Sequence, residues 1–355
     1  MKKILVIQQK MIGDVLLSSI LCNSLRKAYP TAQIDYLVHE NTVPVLENNP
    51  NIDTIIRFTE KHKSSRRAFL KLGKKIRAEK YDILIDAYSK LESWLLSAMS
   101  GAKQKISYKK IGRNFIYDIN VPYEDAPKTS LGLAIERRLS LLKPLSIEKY
   151  INPIPKLFLT NAEMQTAKNL FKKFGINESK KTVMISLLGS EEKKTYPLPF
   201  MAKIIDFIGQ NYDVTILFNY FPKQIKEAKI ILNLCSEKTK SKIYFDFLGQ
   251  DLRSFIAIMN ECDAIIGNDG GAINMAKALN KPSFIIFSPW IEKKMWATFE
   301  DGINHSSVHL EDYQPNLFRE KTEKELKDEA ENLYLELKPE LIIPKLELFA
   351  SYHLK

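Results

Sequence analysis

The chain has little cysteine and no ordered use of it. Cys22, Cys235 and Cys262 are scattered over 355 residues, with no CxxC pair. An odd, dispersed set excludes a disulfide scaffold and a cysteine-based zinc site, and it fits the reducing cytoplasm. Long apolar runs are missing too: no stretch of about 18 apolar residues occurs, which argues against a membrane-spanning helix. The N-terminus, "MKKILVIQQK", sets two lysines before a short apolar stretch, but glutamines and a lysine follow at once. It reads as a first buried strand rather than a signal peptide. Neither GxGxxG nor a Walker lysine is present, which disfavours a nicotinamide dehydrogenase and a P-loop enzyme. Of five histidines, only His305 and His309 have ligand-like spacing, in "INHSSVHL". That segment reads as a loop running into a strand, and no metal is expected there. No repeat or low-complexity segment stands out.

What is present is a globular composition, 45% apolar and 27% charged, in a chain long enough for two α/β domains. The net charge of +11 is unevenly spread. Residues 1–160 hold 27 Lys+Arg and 15 Asp+Glu, whereas the remainder holds 26 and 27, so the whole excess belongs to the first half. Its densest part is "RFTEKHKSSRRAFLKLGKKIR", residues 57–77, with Arg66, Arg67, Lys74 and Lys75 among its basic residues. Such a stretch is either a solvated helix face or an attractor for a polyanion such as a phosphorylated glycolipid or a bilayer surface. Nucleic acid is not expected, because no recognised module or interleaved aromatic pattern accompanies the charge.

Apolar strand-like runs alternate with helical patterns through the first half: "KILVIQ", "QIDYLVH", "IDTIIRF", "YDILIDA" and "QKISY". The rhythm restarts after a proline-rich stretch at 121–156, with "TVMISLLG", "DVTILFN", "DAIIGN" and "PSFIIF". This predicts two Rossmann-like doubly wound α/β domains, 1–155 and 156–325, with ligands expected in a cleft at the carboxyl ends of the strands. The tail, 326–355, is strongly helical and is expected to fold back over the first domain.

Two strand-to-helix corners attract attention. In "GNDGGAINMAKAL", Asp269 follows an apolar run, and Gly270 and Gly271 open a helix containing Asn274. Helix-opening amides and close backbone approach suit a diphosphate, while the plainer reading is an aspartate N-cap. In "KILVIQQKMIGDVLLSSIL", Gly13 is expected to permit the turn and Asp14 to stand at the helix start, as a cap or as a base for an attacking hydroxyl. A third element, "LLGSEEKKTYP", sets Gly189 and Ser190 in a loop before Lys194, a cation able to neutralise a leaving phosphate.

Together, "ILVIQQKMIGDVLLSSIL", "GSEEKKTYP" and "GNDGGAINMAKALNKPSFIIFSP" resemble glycosyltransferase family 9, the lipopolysaccharide core heptosyltransferases of GT-B fold. The resemblance implies an inverting, metal-independent, cofactor-free sugar transfer. The donor would be a nucleotide-diphosphate sugar of the ADP-heptose kind, and the acceptor a phosphorylated, lipid-linked saccharide at the cytoplasmic face of the inner membrane. It implies Asp14 as general base and Lys194 as the contact to donor phosphate. It implies a donor site of Gly13, Gly189, Ser190, Asp269, Gly270, Gly271 and Asn274. The basic face at 66–75 would then dock the acceptor. The sequence departs from the family pattern at Gly270 and Asn274, where a hydroxyl residue and a histidine are usual, and at Lys223, Gln224 and Glu227, near the expected ribose carboxylate. The rival reading is a binding protein that keeps the nucleotide-sugar site without transfer.

Overall fold

The computed structural model describes all 355 residues, and the chain divides into two compact units, Met1–Phe158 and Leu159–Lys355. The first unit contains β1 (Lys3–Ile7), β2 (Gln33–His39), β3 (Thr54–Phe58), β4 (Ile83–Asp86), β5 (Gln104–Tyr108) and β6 (Ile119–Val121). They form a parallel sheet in the order β3-β2-β1-β4-β5-β6. β1 and β4 read as unbroken apolar runs because helices cover both faces of such a sheet. Leu5, Ile7, Leu37 and Leu84 meet Leu72, Ile76 and Leu96 of the covering helices in one core. The helix Ile12–Ala28 is buried without a break from Val15 to Leu25; its Ser18, Ser19, Cys22 and Ser24 are small enough to pack closely.

The second unit contains β7 (Lys181–Ser186), β8 (Val214–Asn219), β9 (Ile243–Tyr244), β10 (Ala264–Asn268), β11 (Ser283–Ile286) and β12 (His305–Val308). Its sheet is again parallel, in the order β12-β11-β10-β7-β8-β9. Each sheet thus grows outward in both directions from its first strand. The reversal lies between β1 and β4 in one unit and between β7 and β10 in the other. Ligands of open α/β sheets bind beyond the strand ends at such a switch point.

Three sequence expectations change. The basic stretch is not one helix: it is the end of β3, a short helix Glu60–Ser64, and a helix Arg66–Ala78 started by Ser65, whose hydroxyl accepts from the Ala68 amide at 3.3 Å. The strands β6 and β9, of three and two residues, went unread because so short an edge strand carries too little alternation. The C-terminal tail joins the second unit, not the first. Leu333, Tyr334, Leu337, Ile342, Leu346 and Phe349 enter that unit's core beside Phe284, Val308 and Ile205. The apolar stripe that marked the tail as helical is what needs this cover.

Candidate active site

In the first unit the chain leaves β1 through the buried Gln8 and Gln9 and enters the helix Ile12–Ala28. Gly13 lies within the helix rather than in the turn, and Asp14 is the third helical residue rather than the cap. The Asp14 carboxylate accepts from Arg138 Nη2 at 2.6 Å through Oδ1, and from the Met11 amide at 3.4 Å through Oδ2. Arg138 comes from the helix Leu133–Ser140 and is only 8% exposed. Its Nε donates to Ser18 Oγ at 2.7 Å and its Nη1 to the Ala134 carbonyl at 2.6 Å. A guanidinium pinned at three nitrogens has one place to stand, so it fixes the carboxylate, which keeps 26% of its side chain exposed. Sequence reasoning missed Arg138. Its signal was "ERRLS" inside an otherwise apolar helix, where a buried charge requires a partner.

In the second unit two loops meet at the switch point, and a buried asparagine that the sequence reading passed over ties them. Asn268 ends β10; its Oδ1 accepts from the Tyr196 amide at 2.7 Å, and its Nδ2 donates to the Leu187 and Ser186 carbonyls at 2.9 and 3.1 Å. The Lys193 carbonyl accepts from Ser288 Oγ at 2.6 Å and from Trp290 Nε1 at 3.1 Å. The loop after β7 is therefore held from both sides. Two glycines permit the approach. A Cβ at Gly267 (φ +134°) would lie 2.3 Å from the Ser186 carbonyl oxygen, and one at Gly189 would lie 2.3 Å from that of Lys194. Gly189 thus shapes the loop, its carbonyl accepting from Gln224 Nε2 at 2.9 Å, while Ser190 stands exposed beside it.

This scaffold sets Lys194 over the Trp290 ring, 5.1 Å from its centroid, and within electrostatic reach of Asp269. Asp269 does not cap its helix; Gly270 occupies the N-cap position and offers no side-chain acceptor. Burial pushes the Asp269 carboxyl up, against the pull of Lys194, Lys277 and the Gly270 amide. Gly270 is extended (φ 170°), a conformation any residue adopts, and a Cβ there would meet nothing within 4 Å. Gly271 and Ala272, which open the helix Gly271–Ala278, stay partly exposed. Asn274 reaches back to the Gly270 carbonyl at 3.5 Å. Lys277, absent from the sequence reading as a site residue, is 5% exposed and donates to the Thr298 carbonyl at 2.6 Å. Burial pushes its ammonium down to about 8, with Asp269, Glu300 and Asp301 opposing. Uncapped amides, the helix dipole and Lys194 together can receive a phosphate-sized anion.

The other candidates are elsewhere. Arg66, Arg67, Lys74 and Lys75 are exposed on the first unit, while Leu72 and Ile76 of the same helix face the core. His305 Nδ1 lies 3.0 Å from Ser283 Oγ and His309 Nδ1 accepts from the Glu311 amide, so the two are engaged separately. A recess of about 370 Å³ lined by Lys180, Lys181, Tyr212 and Asp213 sits at the amino-terminal ends of β7 and β8, at the opposite sheet edge from the Asp269 corner.

The sequence pattern of glycosyltransferase family 9 (heptosyltransferase) matches residues 69–327. The chain belongs to that family. The match takes in the 189–196 loop and the Asp269 corner, and it begins beyond Asp14. Among curated relatives of this family 9 chain, lipopolysaccharide heptosyltransferase 1 of Campylobacter coli is 25% identical over 307 residues, covering 80% of this chain and 83% of the relative. Among solved structures, a family 9 glycosyl transferase from Veillonella parvula superposes with a TM-score of 0.76 at 18% identity, covering 98% and 96% of the two chains. An Escherichia coli heptosyltransferase with ADP gives 0.68 at 13% identity, covering 97% and 99%. At these identities the structures speak to the fold, two six-stranded parallel α/β sheets of GT-B type. The family 9 chain is a glycosyltransferase.

Proposed function

We propose that this glycosyltransferase moves a heptose-type sugar, with inversion and without a metal, from a nucleotide-diphosphate donor to a lipid-linked saccharide of the lipopolysaccharide core type. The observation that carries the reading is the corner of the second unit. There Asn268, Ser288 and Trp290 hold the Lys194 loop beside an uncapped helix N-terminus whose approach Gly270 leaves open. Such a corner supplies fixed donors for a diphosphate and a cation for the charge that grows as it departs. In the first unit, Asp14 takes the proton of the attacking acceptor hydroxyl, with Arg138 as its positioning residue. The hydroxyl oxygen bonds to the anomeric carbon from the face opposite the leaving diphosphate, which inverts that carbon. The relatives' names point to lipopolysaccharide as acceptor, and the ADP of the Escherichia coli structure points to an ADP-linked donor. The exposed basic face at Arg66, Arg67, Lys74 and Lys75 suits a phosphorylated acceptor at the cytoplasmic membrane surface.

The test is transfer from ADP-heptose to a heptose-free core acceptor in the presence of a chelator, with the product's anomeric configuration read by NMR. Inverted product is expected. In the same assay, Lys194→Ala should lower kcat by about two to three orders of magnitude, the loss expected for one electrostatic stabiliser. Retained configuration would contradict the mechanism, and near-normal turnover in Lys194→Ala would remove Lys194 from it.

A further inference from the structure

The loop between β5 and β6 is built with its polarity reversed. Ile111 is 101% exposed and Phe115 is 86% exposed, whereas the charged residues between and beside them turn inward. Lys110 Nζ and Arg113 Nη1 both donate to the Ser89 carbonyl, at 3.2 and 3.1 Å. The Arg113 guanidinium also stacks on Trp94, 3.2 Å from the ring centroid. At the far end of the loop, Tyr117 donates its hydroxyl to the buried Asp86 carboxylate at 2.5 Å, and Asp86 accepts the Ser89 amide at 2.8 Å. The loop base is thus pinned at Ser89 and Asp86, and two large apolar side chains are held out in water. The helix Leu91–Met99, which packs against the Asn114–Ile116 turn, adds Leu91 and Leu95 one turn apart, 60% and 47% exposed.

We infer that this loop is a membrane tip: Ile111 and Phe115 enter the acyl boundary of an anionic bilayer while the exposed Lys90 and Lys109 at its base meet the head groups. The charge favours a lipid surface over a purely apolar partner. Lys109 and, from the neighbouring turn, Lys90 stay exposed beside Lys110 and Arg113 at the base of the tip. Exposed apolar side chains above exposed lysines are a composition that binds an interface plane. The placement is functional as well. The sheet is parallel, so the loop after β5, the Ser89 turn after β4 and the Asp14 helix after β1 all lie at the same carboxyl edge. Insertion of the tip would bring the edge carrying Asp14 to the surface where a lipid-linked acceptor is anchored. The purpose rests on the proposed acceptor, but the binding does not.

The test uses the full chain with vesicles that contain neither acceptor nor nucleotide sugar. The protein should float with phosphatidylglycerol-containing vesicles at low salt and far less with pure phosphatidylcholine. Ile111→Ser with Phe115→Ser should weaken binding by roughly tenfold for each side chain lost, with the melting temperature unchanged. The indole introduced by Ile111→Trp should be quenched by brominated acyl chains. The double variant should also keep its turnover on a delipidated, water-soluble acceptor, which separates this inference from the transfer mechanism. Wild-type binding by the double variant would overturn the assignment, as would failure of the wild type to bind or an unquenched indole in the Ile111→Trp variant. So would a loss of self-association in place of vesicle binding, or loss of turnover on the soluble acceptor.

Discussion

The two switch-point corners share a topology and differ in how they hold a carboxylate. Asp14 is fixed by a direct ion pair with Arg138, whose other nitrogens are occupied by Ser18 and Ala134. Asp269 has no such partner: two lysines act on it across space while burial works against its charge. The first arrangement aims one carboxylate oxygen. The second surrounds open helix amides with positive charge, and its aspartate trims that charge. On the proposed reading one fold offers a proton acceptor on one unit and an anion seat on the other, and the difference comes from which neighbours the flanking helices supply rather than from the sheet.

The comparison breaks first at Asp14. Asp14→Asn keeps the shape and can still accept from Arg138, so the melting temperature should hold while kcat falls about 10²- to 10⁴-fold, the usual worth of a general base. Turnover and thermal unfolding on one sample check this. At Lys277 the expected effect is on stability, at up to about 3 kcal/mol. Burial lowers its folded value to about 8, below that of the unfolded chain, so between pH 8 and the ordinary lysine range the unfolded state carries the extra proton. Wild type should therefore gain stability relative to Lys277→Met as pH rises through that window. Denaturant unfolding of both proteins at pH 7.5 and pH 10 (about the ends of that window) should show the gap moving in favour of wild type. Arg138→Lys sharpens the positioning argument with a smaller effect. A lysine keeps the charge but not the three-point fork, so kcat should fall about tenfold with acceptor KM nearly constant, as expected when orientation rather than charge is lost.

Much of this was legible in the sequence, for reasons that differ by element. The long central strands and their helices announced themselves because burial on both faces leaves an unbroken apolar run, as in "KILVI" and "AIIGN". The corner glycines and aspartates were legible because polar residues interrupted those runs at strand ends. What escaped was long-range pairing. Nothing in "ERRLS" names Asp14 as the partner of Arg138, 124 residues away, and nothing in "GND" shows that Asn268 binds the Tyr196 amide. The tail was read as helical from its own periodicity, but the surface it covers is set by Phe284 and Val308 on other strands. The β5–β6 loop gave only a row of lysines; its reversed polarity exists only once Ser89 and Trp94 take those cations inward.

The division of labour between the corners is tested most directly by titrating ADP calorimetrically into Asp14→Asn and Gly270→Ala. A Cβ at Gly270 meets nothing in the free protein, so that variant should fold normally, with stability within about 0.5 kcal/mol of wild type. On the proposed reading, its methyl group nevertheless stands where the diphosphate approaches the helix amides. The account predicts ADP affinity unchanged in Asp14→Asn and at least about tenfold weaker in Gly270→Ala. Weakened binding in Asp14→Asn together with wild-type binding in Gly270→Ala would contradict it.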